Sequence, residues 1–446
     1  MRRIKLPLIS FLLVAVFTHA QDIQDKKVKY RRSALHTILV ETESFPNIEL
    51  VTKTYNNAPF PDNYDNHTLP SLKSLNPKLF PITDADRKAA GTEKTAAGQL
   101  VGDLTQEVTG GIIEKNAADM PLIINKYIQK NKLGGQLVGK WYGRNAQGLF
   151  DSNMELMKTR GSYDATALDV KKALATEGGL ARLSDAGEEL IKNTFVVFSK
   201  MNFVPNEVVA AAVRDAAKIA AQGLSNPLAQ QGAIKAADLL YNKTKDGYSV
   251  WTISYLYRLK WDDSIQNVFY TDYWLNSDEK DSKKIAARKT AFENSNLFQM
   301  EFVGKEMNAY LIMPNKDGKT EDKLIERATV RSVEGVFNKL QKKYEVFKPK
   351  FPLFSGDPVA AKIGRKEGLE GGEKFEVLEQ VYDEKTGRTK YDRVGTITVD
   401  DKKVWDNRYG AEEEAQKDSK AEAVDKTYFK GGKKLYAGQL IRQIKS

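Results

Sequence analysis

The chain has 446 residues, 41% hydrophobic and 29% charged, which is ordinary for a globular protein and enough for two or three cores. It contains no cysteine, which excludes disulfides, thiolate metal sites and cysteine nucleophiles. The formal charge is +10, with Lys and Arg scattered among Asp and Glu, which reads first as a solvated basic surface and second as attraction to anionic polymers; no nucleic-acid motif is present.

Residues 1–20 have the three parts of a secretory signal peptide. Arg2, Arg3 and Lys5 precede an apolar run from Leu6 to Phe17, and Thr18-His19-Ala20 supplies small residues before a cut at Ala20/Gln21. The run is too short for a comfortable bilayer span, and no later run is long enough, so no transmembrane span is expected. No cysteine near the cut accepts a lipid. A large exported chain without cysteine fits a bacterial envelope, in the periplasm, associated with the outer membrane, or at the cell surface.

After the cut, 21–81 reads as an extended N-terminal segment. Ala34 to Glu43 forms a short strand in it, and the Pro- and Asn-rich stretch from Phe45 to Pro81 is loop-like. An α+β body is expected over 82–348. Its first part, 82–192, is helical, starting at Ile82-Thr83-Asp84-Ala85-Asp86, breaking at Gly134-Gly135 and carrying a capping signature at Ser184-Asp185 and Glu188. Thr194 to Phe203 reads as a buried strand. An Ala-rich helix pair spans 206–242, broken at Gly223 to Pro227, with Val209, Val213, Ala216, Ile219 and Ala220 on its apolar face. Its charged residues favour packing on a sheet over insertion into lipid.

An antiparallel sheet is expected over 248–313. Ile253, Tyr255, Tyr257, Leu259 and Trp261 alternate on one strand face, Val268 to Trp274 reads as the partner strand, and Leu297 to Phe302 and Asn308 to Met313 as two more. A helix over Lys284 to Asn294 interrupts them, and an amphipathic helix over 320–344 closes the body.

From Pro349 to Pro358 the sequence changes character, and 359–446 shows short strands separated by turns: Lys374 to Leu378, Tyr391 to Val399, a charged insertion from Ala411 to Lys426, and Leu435 to Ile444. Within it stand Lys362-Ile363-Gly364, Glu367-Gly368-Leu369, Gly371-Gly372-Glu373-Lys374-Phe375-Glu376-Val377 and Val394-Gly395-Thr396-Ile397-Thr398-Val399. This pattern resembles the small SH3-like β-barrels of envelope-assembly accessory proteins, such as flagellar-assembly and curli-secretion factors, with Glu373 where that pattern carries Asp. Gly187-Glu188-Glu189-Leu190-Ile191-Lys192-Asn193-Thr194-Phe195-Val196-Val197 is similar to uncharacterised exported proteins of Gram-negative bacteria. The resemblance implies a binding or assembly role and carries no catalytic residues.

Catalytic motifs are few. Apart from the leader, the histidines are His36 and His67, neither with a partner at metal-ligand spacing. Phosphate-loop, dinucleotide and Gly-x-Ser-x-Gly patterns are missing, so no cofactor is expected. One constellation stands out as an interaction surface: Trp261, Asp262, Asp263, Tyr270, Tyr273 and Trp274, acids between aromatic residues. The expectation is a non-enzymatic exported protein that binds envelope proteins or anionic envelope polymers. The first alternative is a carbohydrate-active hydrolase whose paired carboxylates lie beside that aromatic face. The second is a membrane-acting protein that uses Val208 to Leu240.

Overall fold

The computed structural model describes residues 30, 32–42, 47–91, 119–151, 191–312, 320–383, 388–415 and 424–444. The expected signal peptide, the Ser184 capping signature and half of the charged insertion lie outside these residues. The fold is mixed α+β with two sheets, and the chain divides into two compact units, one of Arg32–Phe347 and one of Lys348–Asp383 with Thr389–Ser446.

The first unit is organised by β4 (Thr194–Pro205). Thr194 through Phe203 are all buried, because a strand of β-branched and aromatic residues loses water from both faces at the centre of a sheet. β1 (Ala34–Val40) runs parallel to it, from Ala34 opposite Thr194 to Val40 opposite Lys200. The short strands β2 (Asp65–Asn66) and β3 (Ser74–Leu75) extend β1. On the other side β5 (Tyr248–Leu259) is antiparallel to β4, and β6 (Met300–Ile312) is antiparallel to β5 and forms the sheet edge. The two strands expected at 297–302 and 308–313 are therefore one.

Helices cover both faces. α1 (Ile48–Asn57) and α9 (Glu321–Lys343) bury Val51, Tyr55, Ile325 and Ala328 against Leu39, Met201, Phe203 and Val250. α3 (Met120–Lys130) and α4 (Leu133–Trp141) bury Ile124, Tyr127, Leu133 and Leu137 against Ile38, Val196, Phe198 and Tyr257. The polar face of β5 is buried too: Thr252 bonds Ser332 of α9 at 2.9 Å, and Ser254 bonds Ser199 of β4 at 2.8 Å. α2 (Asp84–Ala89) starts on a reciprocal cap, with the Asp86 carboxylate accepting from the Thr83 N–H at 2.7 Å and Thr83 Oγ1 accepting in return from the Asp86 N–H.

Three local expectations change. The 21–81 segment holds a helix, α1, because Val51 and Tyr55 are one turn apart and dock together on the sheet. Gly134-Gly135 does not break the chain but lies inside α4, since a side chain at residue 134 would collide with the carbonyl of Phe298. The partner strand expected at Val268 to Trp274 is helical: α7 (Asp263–Val268) continues into a π-helical turn at Phe269–Tyr273, and α8 (Ser282–Asn294) follows.

The C-terminal unit is one antiparallel curled sheet of seven strands, in the order β7 (Phe351–Pro352), β13 (Leu440–Gln443), β10 (Lys374–Asp383), β11 (Arg388–Val399), β12 (Thr427–Lys430), β9 (Val359–Ala361) and β8 (Ser355–Gly356). Phe375 and Val377 alternate inward on β10, Ile397 and Val399 on β11, and they meet Phe429 and Ile441 in one core. The last strand is shorter than the expected 435–444. Part of the charged insertion forms a short helix, α10 (Ala411–Ala415). Glu373 folds back so that its carboxylate accepts from the N–H groups of Glu370 and Gly371, which holds the turn where Gly371 has φ +124°.

Candidate functional site

Between β4 and β5 the chain leaves the sheet as a helical hairpin, α5 (Asn206–Gln222) and α6 (Pro227–Thr244). At 1.5 Å per residue each helix is about 25 Å long. Asn206 staples the base: its side chain donates to the Asp246 carbonyl at 2.8 Å and accepts from Ser249 Oγ at 2.7 Å, while its N–H donates to the Gly247 carbonyl at 2.9 Å. At the far end Asn226 caps α6 by accepting from the Leu228 N–H at 2.9 Å, with Pro227 in the first helical position.

The two helices hold each other through alanine and polar groups. Ala210, Ala221 and Ala237 are buried. Lys218 pairs with Asp238 at 2.7 Å, Tyr241 donates to Glu207 at 3.2 Å, and the Arg214 guanidinium stands 4.4 Å from the Tyr241 ring centre. Because small and polar residues make that contact, the large apolar side chains are left outside. Val208, Val213, Leu224 and Leu240 are exposed, as are Ile219 (69%), Leu239 (63%) and Leu228 (81%). α5 meets the sheet near its base, against β4 and β5. The expected packing of this helix pair on the sheet is found only at its base, and farther out the apolar side chains stay exposed, since an apolar stripe in sequence does not say whether anything covers it.

Two further features define the arm. From Ile219 to Ile234 no residue carries a charge, so the tip is neutral and exposes Ile219, Leu224 and Leu228 among uncharged polar residues. At the base lies a cavity of about 240 Å³, lined by Val209, Ala210, Val213, Leu240 and Tyr241 of the hairpin and by Leu311 of β6.

The six residues expected to form an interaction surface lie together, but their rings face inward. Trp261, Tyr270 and Trp274 are buried, and Tyr273 is half-buried against the same cluster. Phe150 stacks on Trp274 at 5.3 Å, Tyr142 stacks on Phe269 at 4.9 Å, and the Tyr270 hydroxyl donates to that of Tyr142 at 2.8 Å. Asp262 and Asp263 are exposed, and Asp262 caps α7 by accepting from the Ile265 N–H at 2.9 Å. The cluster is therefore a core with a capped helix over it, not an open aromatic platform.

The histidines are structural in their surroundings. His36 is fully buried in β1, and burial lowers its pKa from 6.5 to about 4, with Lys140 and Lys73 acting in the same direction. His67 stacks on Trp141 at 4.8 Å and shares a hydrogen bond with the Leu137 carbonyl at 2.9 Å. Among the described residues no group of three or more His, Asp or Glu is placed to hold a metal ion. No helix of the described residues is long and apolar enough to cross a membrane.

The sequence singled out Val208 to Leu240 as a segment but not its outward-facing tip. The signal was present in the charge-free stretch from Ile219 to Ile234 around Gly223-Leu224-Ser225-Asn226-Pro227. No protein-family model matches the chain, and no curated protein matches it either.

Proposed function

We propose that the chain is an exported, non-enzymatic binding protein of the bacterial cell envelope, and that the tip of the α5–α6 hairpin is where it grips a partner protein. The observation that carries this reading is the exposure of Ile219, Leu224 and Leu228 in the charge-free tip of the arm. Leaving such side chains in water costs roughly 1.5–3 kcal/mol each relative to burial, and a partner recovers that cost on contact. The neutrality of the tip favours an apolar protein surface over an anionic polymer. The C-terminal unit is a curled antiparallel sheet whose sequence resembles SH3-like barrels, and in this reading it serves as a second binding module. A hydrolase using the Trp261–Trp274 region loses support, because those rings are turned into the core.

The test is substitution of exposed positions that leave the fold intact. Ile219→Ser, Leu224→Ser and Leu228→Ser together are expected to abolish recovery of a discrete partner from crosslinked envelopes while thermal unfolding is unchanged. Undiminished recovery overturns the assignment to the tip. The uncharged tip also suits shallow insertion into lipid, and liposome co-sedimentation that the triple variant abolishes would favour that mode.

A further inference from the structure

The outer edge of β6 is closed in one half and open in the other. Strand residues alternate the direction of their backbone groups, and Lys305, Met307, Ala309 and Leu311 turn theirs away from β5. At Lys305 both groups are occupied: its N–H donates to Tyr344 Oη, and Tyr344 donates to its carbonyl, each at 3.1 Å. The Met307 carbonyl accepts from Lys339 Nζ at 2.8 Å. Beyond it, Ala309 and Leu311 meet no such guard among the described residues, and no strand flanks β6 on that side. An exposed edge with free N–H and C=O groups is a template for another strand.

We propose that this open edge pairs with the same edge of a second copy of the chain, in an antiparallel two-fold dimer centred on Ala309. In that register Met307 stands opposite Leu311 of the second copy, and Ala309 stands opposite itself. The window Met307-Asn308-Ala309-Tyr310-Leu311 has no charge, so no like-charged strand residues stand opposite each other within it. Ala309 and its copy exchange two backbone hydrogen bonds, and each Met307–Leu311 pair adds one through the Met307 N–H, about four across the axis, with two more where Lys339 Nζ releases the Met307 carbonyl.

The cavity at the hairpin base selects the second copy over an unrelated strand. Leu311 lines that cavity and is 50% exposed. Directly opposed residues of an antiparallel pair share a face, so the incoming Met307, itself 37% exposed, arrives beside Leu311 at the cavity mouth. Methionine is flexible enough to fill such an irregular apolar space. The symmetry makes the exchange reciprocal: each copy offers its Met307 to the cavity of the other. The hairpin tip stays free, so the dimer is independent of the partner contact proposed above.

A few edge residues and one plug per copy bury less than a standard stable interface, so the dimer is expected to be weak, with a dissociation constant of roughly micromolar order. Sedimentation equilibrium of the full mature chain tests it. Wild type is expected to shift from monomer to dimer as concentration rises. Ala309→Pro, which removes an outward N–H at an edge position that tolerates proline, is expected to weaken association at least tenfold with thermal unfolding retained. Because the chain has no cysteine, Ala309→Cys gives a second readout that does not depend on affinity. Cα atoms of a hydrogen-bonded antiparallel pair are about 5.5 Å apart, within disulfide range, so mild oxidation is expected to yield a covalent dimer. A Leu239→Cys control on the hairpin is expected to yield none. A wild-type chain that stays monomeric at all concentrations, a dimer indifferent to Ala309→Pro, or equal crosslinking from both cysteine positions overturns the proposal.

Discussion

The Tyr344 ring lies over Gly304, and its hydroxyl both accepts from and donates to the backbone of the next residue, Lys305. The glycine is required because a Cβ at residue 304 would occupy the space of the phenol. Gly304→Ala is therefore expected to displace Tyr344, lower stability by roughly 1–3 kcal/mol and lengthen the open part of the β6 edge. Thermal unfolding with light scattering checks this: the variant should unfold earlier and aggregate faster. Tyr344→Phe, which keeps the ring and loses the two hydrogen bonds, should show a smaller stability loss.

His36 gives the first unit a pH dependence. Burial of the neutral ring lowers its folded pKa from 6.5 to about 4. Between those values the unfolded chain binds the proton and the folded chain does not, so stability rises with pH across the window. The contribution is complete above pH 6.5 and is lost as pH falls toward 4, with a magnitude of about 3 kcal/mol. Denaturant unfolding at half-unit pH intervals should show this slope, and His36→Gln should flatten it.

The aromatic cluster is expected to act in stability alone. Trp274→Ala removes a ring stacked on Phe150 and should cost about 3–5 kcal/mol. Asp262→Ala removes the cap of α7 and should cost about 1 kcal/mol. Urea titrations measure both. Binding of soluble glycans, assayed by calorimetry at 25 °C, should be the same for wild type and Asp262→Ala.

Much of the sheet was legible in the sequence, because β4 and β5 are runs of β-branched and aromatic residues and α9 has a regular apolar stripe. Val268 to Trp274 misled for the same reason. Its aromatic, β-branched composition suits a strand, but Asp262 caps a helix there, and Phe269, Tyr270 and Tyr273 reach one core from helical turns, joined by Trp274 just past their end. Composition records what must be buried, and the direction of burial is set by the rest of the chain. The hairpin shows the complementary limit. Its helices and their break were readable, whereas its stance was not, because Lys218–Asp238 and Arg214–Tyr241 hold the helices together and leave the apolar side chains outside. The inward placement of the aromatic rings was equally out of reach, since acids beside aromatics look alike on a core and on a binding face.

Site-specific photocrosslinking in the native cell tests the role of the hairpin tip most directly. A photoreactive amino acid is placed at Leu228, and for comparison at Lys243, an exposed position near the hairpin base. One discrete crosslinked partner is expected from residue 228 that is missing from residue 243. Identical crosslinking patterns from the two positions, or no crosslink from residue 228, would contradict the assignment.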